Sequence, residues 1–419
     1  FCLSRGLGDV YKRQSLVYPP LTTEREEYCT LEGMKTPRIL ASLALVTALG
    51  ACSTSDQEGN ESQDSTTAAA SSSTSATHET QEETSQEETP QQDIRAMAAS
   101  VLMPPVTNYD DAKAKLDAGV GGIFIPSWAD PNLLQEEGRD INALRQEVGR
   151  DFEVSIDFEG GRVQRFSEIL GEYPAPQQMA AERSPQEVEE LAHEIGTSLK
   201  AHGINVDFAP VLDVDGNGLE VVGDRSFSTD PAQAGEYGAA FARGLDSAGV
   251  KAVFKHFPGH GRASGDTHLA EAVTPPLEEL EGHEFIPFKT ALPQAPNAAL
   301  MMGHLAVPGL GDGQTPASML PEAYGLARDA LRYEGAIYTD DIGGMKAIAD
   351  SLPLADAVVT SLNAGADMPL WSTDGDTNAV IDAVVGAVNE GRLPLERLED
   401  AARHVSVPPS DAVPEAAHD

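Results

Sequence analysis

The chain has 419 residues, enough for one large domain or two ordinary ones. Its formal net charge of −39 excludes nucleic acid as a partner, because a polyanion would be repelled. Cys2, Cys29 and Cys52 are too few for a disulfide framework or a cysteine metal site.

Residues 1–33 open with FCLSRGLGDVYKRQ, which has no hydrophobic period. They are set aside as non-native sequence, with a genuine extension as the alternative. Met34 is the expected start. Lys35 and Arg38 form a positive segment, and residues 39–49 form an apolar stretch too short to span a bilayer. Leu49-Gly50-Ala51-Cys52 follows, and small residues before a cysteine at this place resemble a bacterial lipobox. Residues 34–51 are therefore expected to be a lipoprotein signal peptide, with Cys52 as the lipidated N-terminus of the mature chain. An ordinary secretory signal with an incidental cysteine is the other reading. Residues 52–95 are Ser, Thr, Glu, Asp and Gln with almost no large apolar side chain. Such a segment cannot bury enough surface to offset chain entropy, so it reads as a disordered acidic linker. A binding role for this acidic tail is the alternative. The expected location is outside the cytoplasm, on a membrane through Cys52, at the cell surface or in the periplasm.

Residues 96–408 have globular composition, and 409–419 read as a frayed tail. Eight short apolar runs occur, at 98–103, 122–126, 154–159, 204–212, 250–257, 298–304, 335–340 and 364–370. Each is bounded by Gly, Pro or polar residues, as buried parallel strands are. Between them lie helical stretches. One covers 185–202, with Leu191, Ile195 and Leu199 spaced by four, after the start signature Ser184-Pro185-Gln186-Glu187. Another covers 231–248, after Asp230-Pro231 and before Gly249. Eight strand-then-helix units predict a single (β/α)8 barrel of TIM type, an α/β fold. An open doubly wound sheet is the rival. It lacks the support of a Gly-x-Gly-x-x-Gly turn.

Polar residues close almost every run. Asp157 and Glu159 end the third, Asp207 and Asp213 the fourth, Lys255 and His256 the fifth, His304 the sixth and Asp340 the seventh, while Asp367 sits in the eighth. In a barrel these ends converge on one face, where pockets form. After the fifth run, Pro258, Gly259 and Gly261 open a loop carrying His260, Asp266 and His268. A zinc site at His256, His260 and His268 is a minor alternative, since their spacing fits no helical ligand pattern. A serine hydrolase would need a Gly-x-Ser-x-Gly elbow, which is absent. No cofactor is expected. Glycoside hydrolysis needs a nucleophile or base on one side of the sugar and a proton donor on the other. Asp340, fixed at the end of an apolar run, is the nucleophile candidate, and the neighbouring Asp341 is expected to point elsewhere. His268 is the donor candidate, with Asp266 two residues away able to fix its tautomer. A solvated loop with an incidental Asp and His is the alternative.

At these residues the chain resembles the family-3 glycoside hydrolases, in their bacterial β-N-acetylglucosaminidase branch. KHFPGHG, followed by four residues and Asp-Thr-His, is similar to the branch's loop motif, where Asp-Ser-His is commoner. DFEGGRVQRF at 157–166 is similar to the family's DQEGGRVQRF, with Phe158 in place of glutamine. GDRSFS at 223–228, PAS at 316–318, TDD at 339–341 and AGADM at 364–368 also match. The resemblance implies a retaining mechanism through a covalent glycosyl–enzyme at Asp340, with His268, assisted by Asp266, as acid then base. It implies that Asp157, Arg165, Arg225, Lys255 and His256 bind the sugar. Phe158 is expected to face the core, alternating with Asp157 and Glu159 on the strand. The expected activity is removal of terminal β-linked N-acetylglucosamine from cell-wall or chitin-derived oligosaccharides by a monomeric enzyme. Phosphorolysis of the same bond and a non-catalytic sugar-binding lipoprotein are the alternatives.

Overall fold

The structure is a computed structural model that describes residues 91–216 and 218–406. The expected signal peptide, Cys52, the linker up to residue 90 and the tail 409–419 lie outside the described residues. Seven parallel strands run side by side in chain order: β1 (Gly122–Phe124), β2 (Glu153–Ile156), β3 (Val206–Asp207), β4 (Lys251–Phe257), β5 (Ala299–Met302), β6 (Ile337–Asp341) and β7 (Met368–Leu370). Helices fill the connections, including α1 (Pro185–Ala201) and α2 (Pro231–Ser247), which pack on each other. The capping signature before α1 forms as predicted: Ser184 accepts from the Glu187 N–H, and the Glu187 carboxylate accepts from the Ser184 N–H.

The sheet closes into a barrel, but not through an eighth full strand. Residues 98–100 of the first predicted run belong instead to a helix, Gln91–Ser100. Pairing is reduced to two parallel bridges, Met103 to Leu370 and Pro105 to Phe124. The reason is local. Pro104 and Pro105 have no N–H to donate, so a ladder cannot propagate past them. The Pro104 carbonyl still accepts from the Phe124 N–H at 2.9 Å, and Met103 N–H donates to Pro369 at 3.2 Å. The same helix corrects the linker boundary. Residues 91–95, assigned from sequence to the linker 52–95, are helical, Ile94 packs on the core, and Arg95 pairs with Asp382.

Asp367 also departs from the sequence expectation, which grouped it with the other strand-end residues. Its N–H donates to the Ile337 carbonyl, and its carboxylate accepts from the Ile337 N–H at 2.9 Å. It therefore sits at the N-terminal end of β6 and β7, opposite the face where the other strand-end groups gather. There it is bound by Arg328 at 2.8 Å, Arg397 at 2.7 Å and His404 at 3.1 Å.

The barrel interior is filled rather than hollow. Phe208 contacts Phe124 and Tyr338, and Tyr338 donates to Glu153 at 2.6 Å. Phe158 is fully buried and meets Tyr173 edge-on, so the alternation that puts Asp157 and Glu159 on the other side is observed. This packed floor fixes the strand ends above it.

Candidate active site

One cleft of about 580 Å³ opens at the C-terminal ends of the strands. That size suits a sugar rather than a polymer buried along its length. Asp157, Arg165, Arg225, Lys255, His256, Asp266, His268 and Asp340 all line it, so the sequence-predicted residues of the described chain are brought together. Glu159, Asp341 and Trp128 line it too.

The floor is an ionic lattice. Lys255, on β4, is 2% exposed and lies 2.9 Å from Asp157 and 2.6 Å from Glu159. Arg165 holds the far oxygen of Asp157 through two N–H groups, at 2.7 and 3.1 Å. Arg225 grips both oxygens of Glu159 at 2.7 Å. Burial alone would push both carboxyls up. For Asp157, Lys255 and Arg165 outweigh it; for Glu159, Arg225 and Lys255 do. Both are therefore carboxylates, and burial of Lys255 is likewise outweighed by its two anions, which hold its pKa above the ordinary value. Arg165 pairs with Asp157 and Arg225 with Glu159, and Lys255 bridges the two carboxylates, so the floor offers fixed donors and acceptors with little net charge. That is a surface for a neutral polyhydroxyl ligand.

Asp340 and His256 form the second group. The Asp213 carboxylate accepts from His256 Nδ1 at 2.6 Å, and from the backbone N–H groups of His256 and His260 at 3.3 and 2.7 Å. The imidazole is thereby turned so that Nε2 lies 3.9 Å from an Asp340 oxygen. Asp340 is 9% exposed. Burial raises its pKa, but His256, His304 and the Asp341 N–H together hold it below the ordinary value. An anionic, partly dehydrated carboxylate at the bottom of a sugar-sized cleft is a competent nucleophile. The adjacent Asp341 is consumed structurally: it accepts from the N–H groups of Gly343, Gly344 and Ser372 and from the Ser372 hydroxyl.

The third group is on the loop after β4. His268 Nδ1 meets Asp266 at 2.7 Å, and the His268 N–H donates to the same carboxylate oxygen at 2.9 Å. Its side chain is 54% exposed, at the mouth of the cleft. Burial raises the Asp266 pKa, and the His268 backbone and ring contacts more than offset that, so Asp266 is an anion beside the ring. Glycine makes the loop possible. A Cβ on Gly261 would fall 1.6 Å from the Val214 carbonyl oxygen, so no side chain fits. Arg262 then clamps the fully buried carboxylate of Glu284 at 2.5 and 2.8 Å. Further along, the Thr267 carbonyl accepts from the Ala347 N–H at 3.2 Å, which docks the loop beside the segment after Asp340.

From sequence, Asp213 and Glu159 are legible only as strand ends, with no further role. Their partners lie 43 and 66 residues away, and nothing local marks those pairings. His256, His260 and His268 do not converge on a common point within ligand reach among the described residues. Asp367, Asp400 and His404 do converge, but Arg328 and Arg397 already neutralise Asp367 there.

Residues 92–407 match the glycosyl hydrolase family 3 N terminal domain. The chain belongs to glycosyl hydrolase family 3. As a family-3 chain it is a glycoside hydrolase, and the barrel is that of its relatives. It is 40% identical over 320 residues to beta-hexosaminidase LpqI of Mycobacterium tuberculosis, covering 74% of this chain and 81% of that protein. It is 34% identical over 270 residues to a beta-hexosaminidase of Thiobacillus denitrificans, covering 62% and 74%. Among solved structures, a family-3 glycosyl hydrolase of Mycobacterium smegmatis superposes with a TM-score of 0.71 at 40% identity, over 74% of this chain and 95% of that one. A family-3 β-N-acetylglucosaminidase of Paenibacillus gives 0.69 at 30% identity, over 77% and 65%.

Proposed function

We propose that this family-3 hydrolase is a retaining exo-β-N-acetylglucosaminidase. The observation that carries the reading is a buried, anionic Asp340 on the floor of the cleft whose mouth holds the Asp266–His268 pair. In this reading the terminal sugar enters the blind end of the cleft. Asp157, Arg165, Arg225, Lys255 and His256 meet its hydroxyls and acetamido group. An Asp340 oxygen bonds to the anomeric carbon as the bond to the leaving oxygen breaks, and His268 gives that oxygen its proton. Water then adds to the anomeric carbon, its proton goes to His268, and the bond to Asp340 breaks. Asp266 stays anionic throughout and stabilises the imidazolium. The relatives named beta-hexosaminidase and β-N-acetylglucosaminidase support the choice of sugar.

We propose also that Cys52 carries a lipid and that residues 52–90 hold the barrel away from a membrane surface, outside the cytoplasm. Cell-wall fragments or chitin-derived oligosaccharides are then the substrates within reach.

The test is release of nitrophenol from the β-N-acetylglucosaminide by the purified protein, beside Asp340→Ala and His268→Ala, with and without inorganic phosphate. Turnover in the parent, abolished by Asp340→Ala and sharply reduced by His268→Ala, is expected, with free sugar as the product. Sugar phosphate as the product would replace hydrolysis by phosphorolysis. Binding without turnover would leave a sugar-binding protein.

A further inference from the structure

Trp128 is unexplained by the groups above. The chain has two tryptophans, and the other, Trp371, is buried in the core. Trp128 is 45% exposed, yet it lines the same cleft as Asp340 and His268. It stands on the loop after β1, at the C-terminal end of the barrel, and its backbone is fixed. The Ala129 N–H donates to the Pro126 carbonyl at 3.1 Å, closing a tight turn. The Asp130 N–H donates to Thr107 at 2.7 Å, and buried Ala129 plugs the turn from beneath. A large apolar ring is thus held half in water by a rigid turn, at a face otherwise built from charge.

Exposure orders the cleft from floor to mouth. Glu159 and Lys255 are buried, Asp340 is nearly so, and His268 and Trp128 are about half exposed. A proton donor to the glycosidic oxygen must sit level with that oxygen. The buried groups suit the sugar being cleaved off, and a lining group as exposed as His268 suits what is attached to it. A β-linked pyranose presents a flat face of axial C–H bonds, and an indole face, negative over its π-cloud, attracts such a surface.

We propose that Trp128 is the platform of an aglycone subsite that takes a second pyranose ring. This rests on the glycosidase reading above. The subsite selects sugar-linked substrates over small leaving groups, and the fixed turn presents the ring with no backbone ordering cost on binding.

The test compares two substrates of the full chain and of Trp128→Ala and Trp128→Phe. One is the β-linked disaccharide of N-acetylglucosamine, which fills the subsite. The other is N-acetylglucosaminyl fluoride, which leaves it empty. Trp128→Ala is expected to lower kcat/KM for the disaccharide about tenfold, the scale of losing one stacked ring, and to leave the fluoride within about twofold. Trp128→Phe is expected to recover most of the loss. Unchanged fluoride turnover also reports an intact fold. An unaltered disaccharide rate in Trp128→Ala would overturn the platform. An equal loss on both substrates would place the ring against the cleaved sugar and overturn it as well. A parent inactive on both would remove the glycosidase reading itself, and the platform with it.

Discussion

Replacing Asp213 by Asn removes one buried charge and almost no volume. Asp213 is 1% exposed and carries three donors, the His256 ring and two backbone N–H groups. Burial raises its pKa, but His256, with help from His260, brings it down from 3.8 to about 2. The unfolded chain therefore binds a proton at this site more readily than the folded one. A depressed folded pKa contributes stability above the unfolded value, and that contribution is lost as pH falls through the folded one. At 1.36 kcal/mol per pH unit, a drop from 3.8 to about 2 amounts to about 2 kcal/mol. Urea unfolding from pH 7 down to pH 2 checks it. Asp213→Asn should be less stable than the parent by about 2 kcal/mol at pH 7, with the gap closing between about pH 4 and pH 2. Activity should fall on the order of tenfold or more, because the His256 ring loses the anion that fixes its tautomer toward Asp340. A gap of the same size at pH 2 and pH 7 would show that Asp213 acts by shape alone. No gap at pH 7 would refute the electrostatic reasoning.

Asp207 is the converse. It accepts from the Phe158 N–H at 2.9 Å, its other oxygen is buried without a hydrogen-bond partner, and burial pushes its pKa well above 3.8. A raised carboxyl pKa costs stability as pH rises above the unfolded value, so Asp207→Asn should be neutral or stabilising at pH 7 and gain relative to the parent between pH 4 and 7 in the same unfolding assay. Gly261→Ala must displace the loop from the Val214 carbonyl, so kcat/KM should drop more than about tenfold with the barrel's circular dichroism retained. Gly265→Ala, where a Cβ meets nothing within 4 Å, is the control and should lie within about twofold of the parent.

Much of the barrel is written locally. The run 250–257, apolar at Val250, Ala252, Val253, Phe254 and Phe257, forms β4 along nearly its whole length, and the start of α1 carries its cap in four residues. What local pattern cannot encode is which end of a strand a polar residue occupies. Asp340 and Asp367 both adjoin apolar runs, yet one points into the cleft and the other is held by Arg328 and Arg397 at the opposite end. The first predicted strand failed because two prolines remove the donors a ladder needs, while helix-favouring residues precede them. The site was legible as a collection, because titratable groups at successive strand ends must meet in a barrel. Its wiring was not. Glu159 to Arg225 and Asp213 to His256 are pairings set by the closed barrel, across sequence gaps with no short-range signal.

In the proposed mechanism the sugar is bonded covalently to Asp340. A fluorinated N-acetylglucosaminyl fluoride that slows the second step should trap it. Peptide mapping of the inactivated protein by mass spectrometry is expected to find one sugar equivalent on the peptide containing Asp340, and none on Asp340→Ala. A label on another carboxylate, or turnover with inversion at the anomeric carbon and no label, would contradict the account.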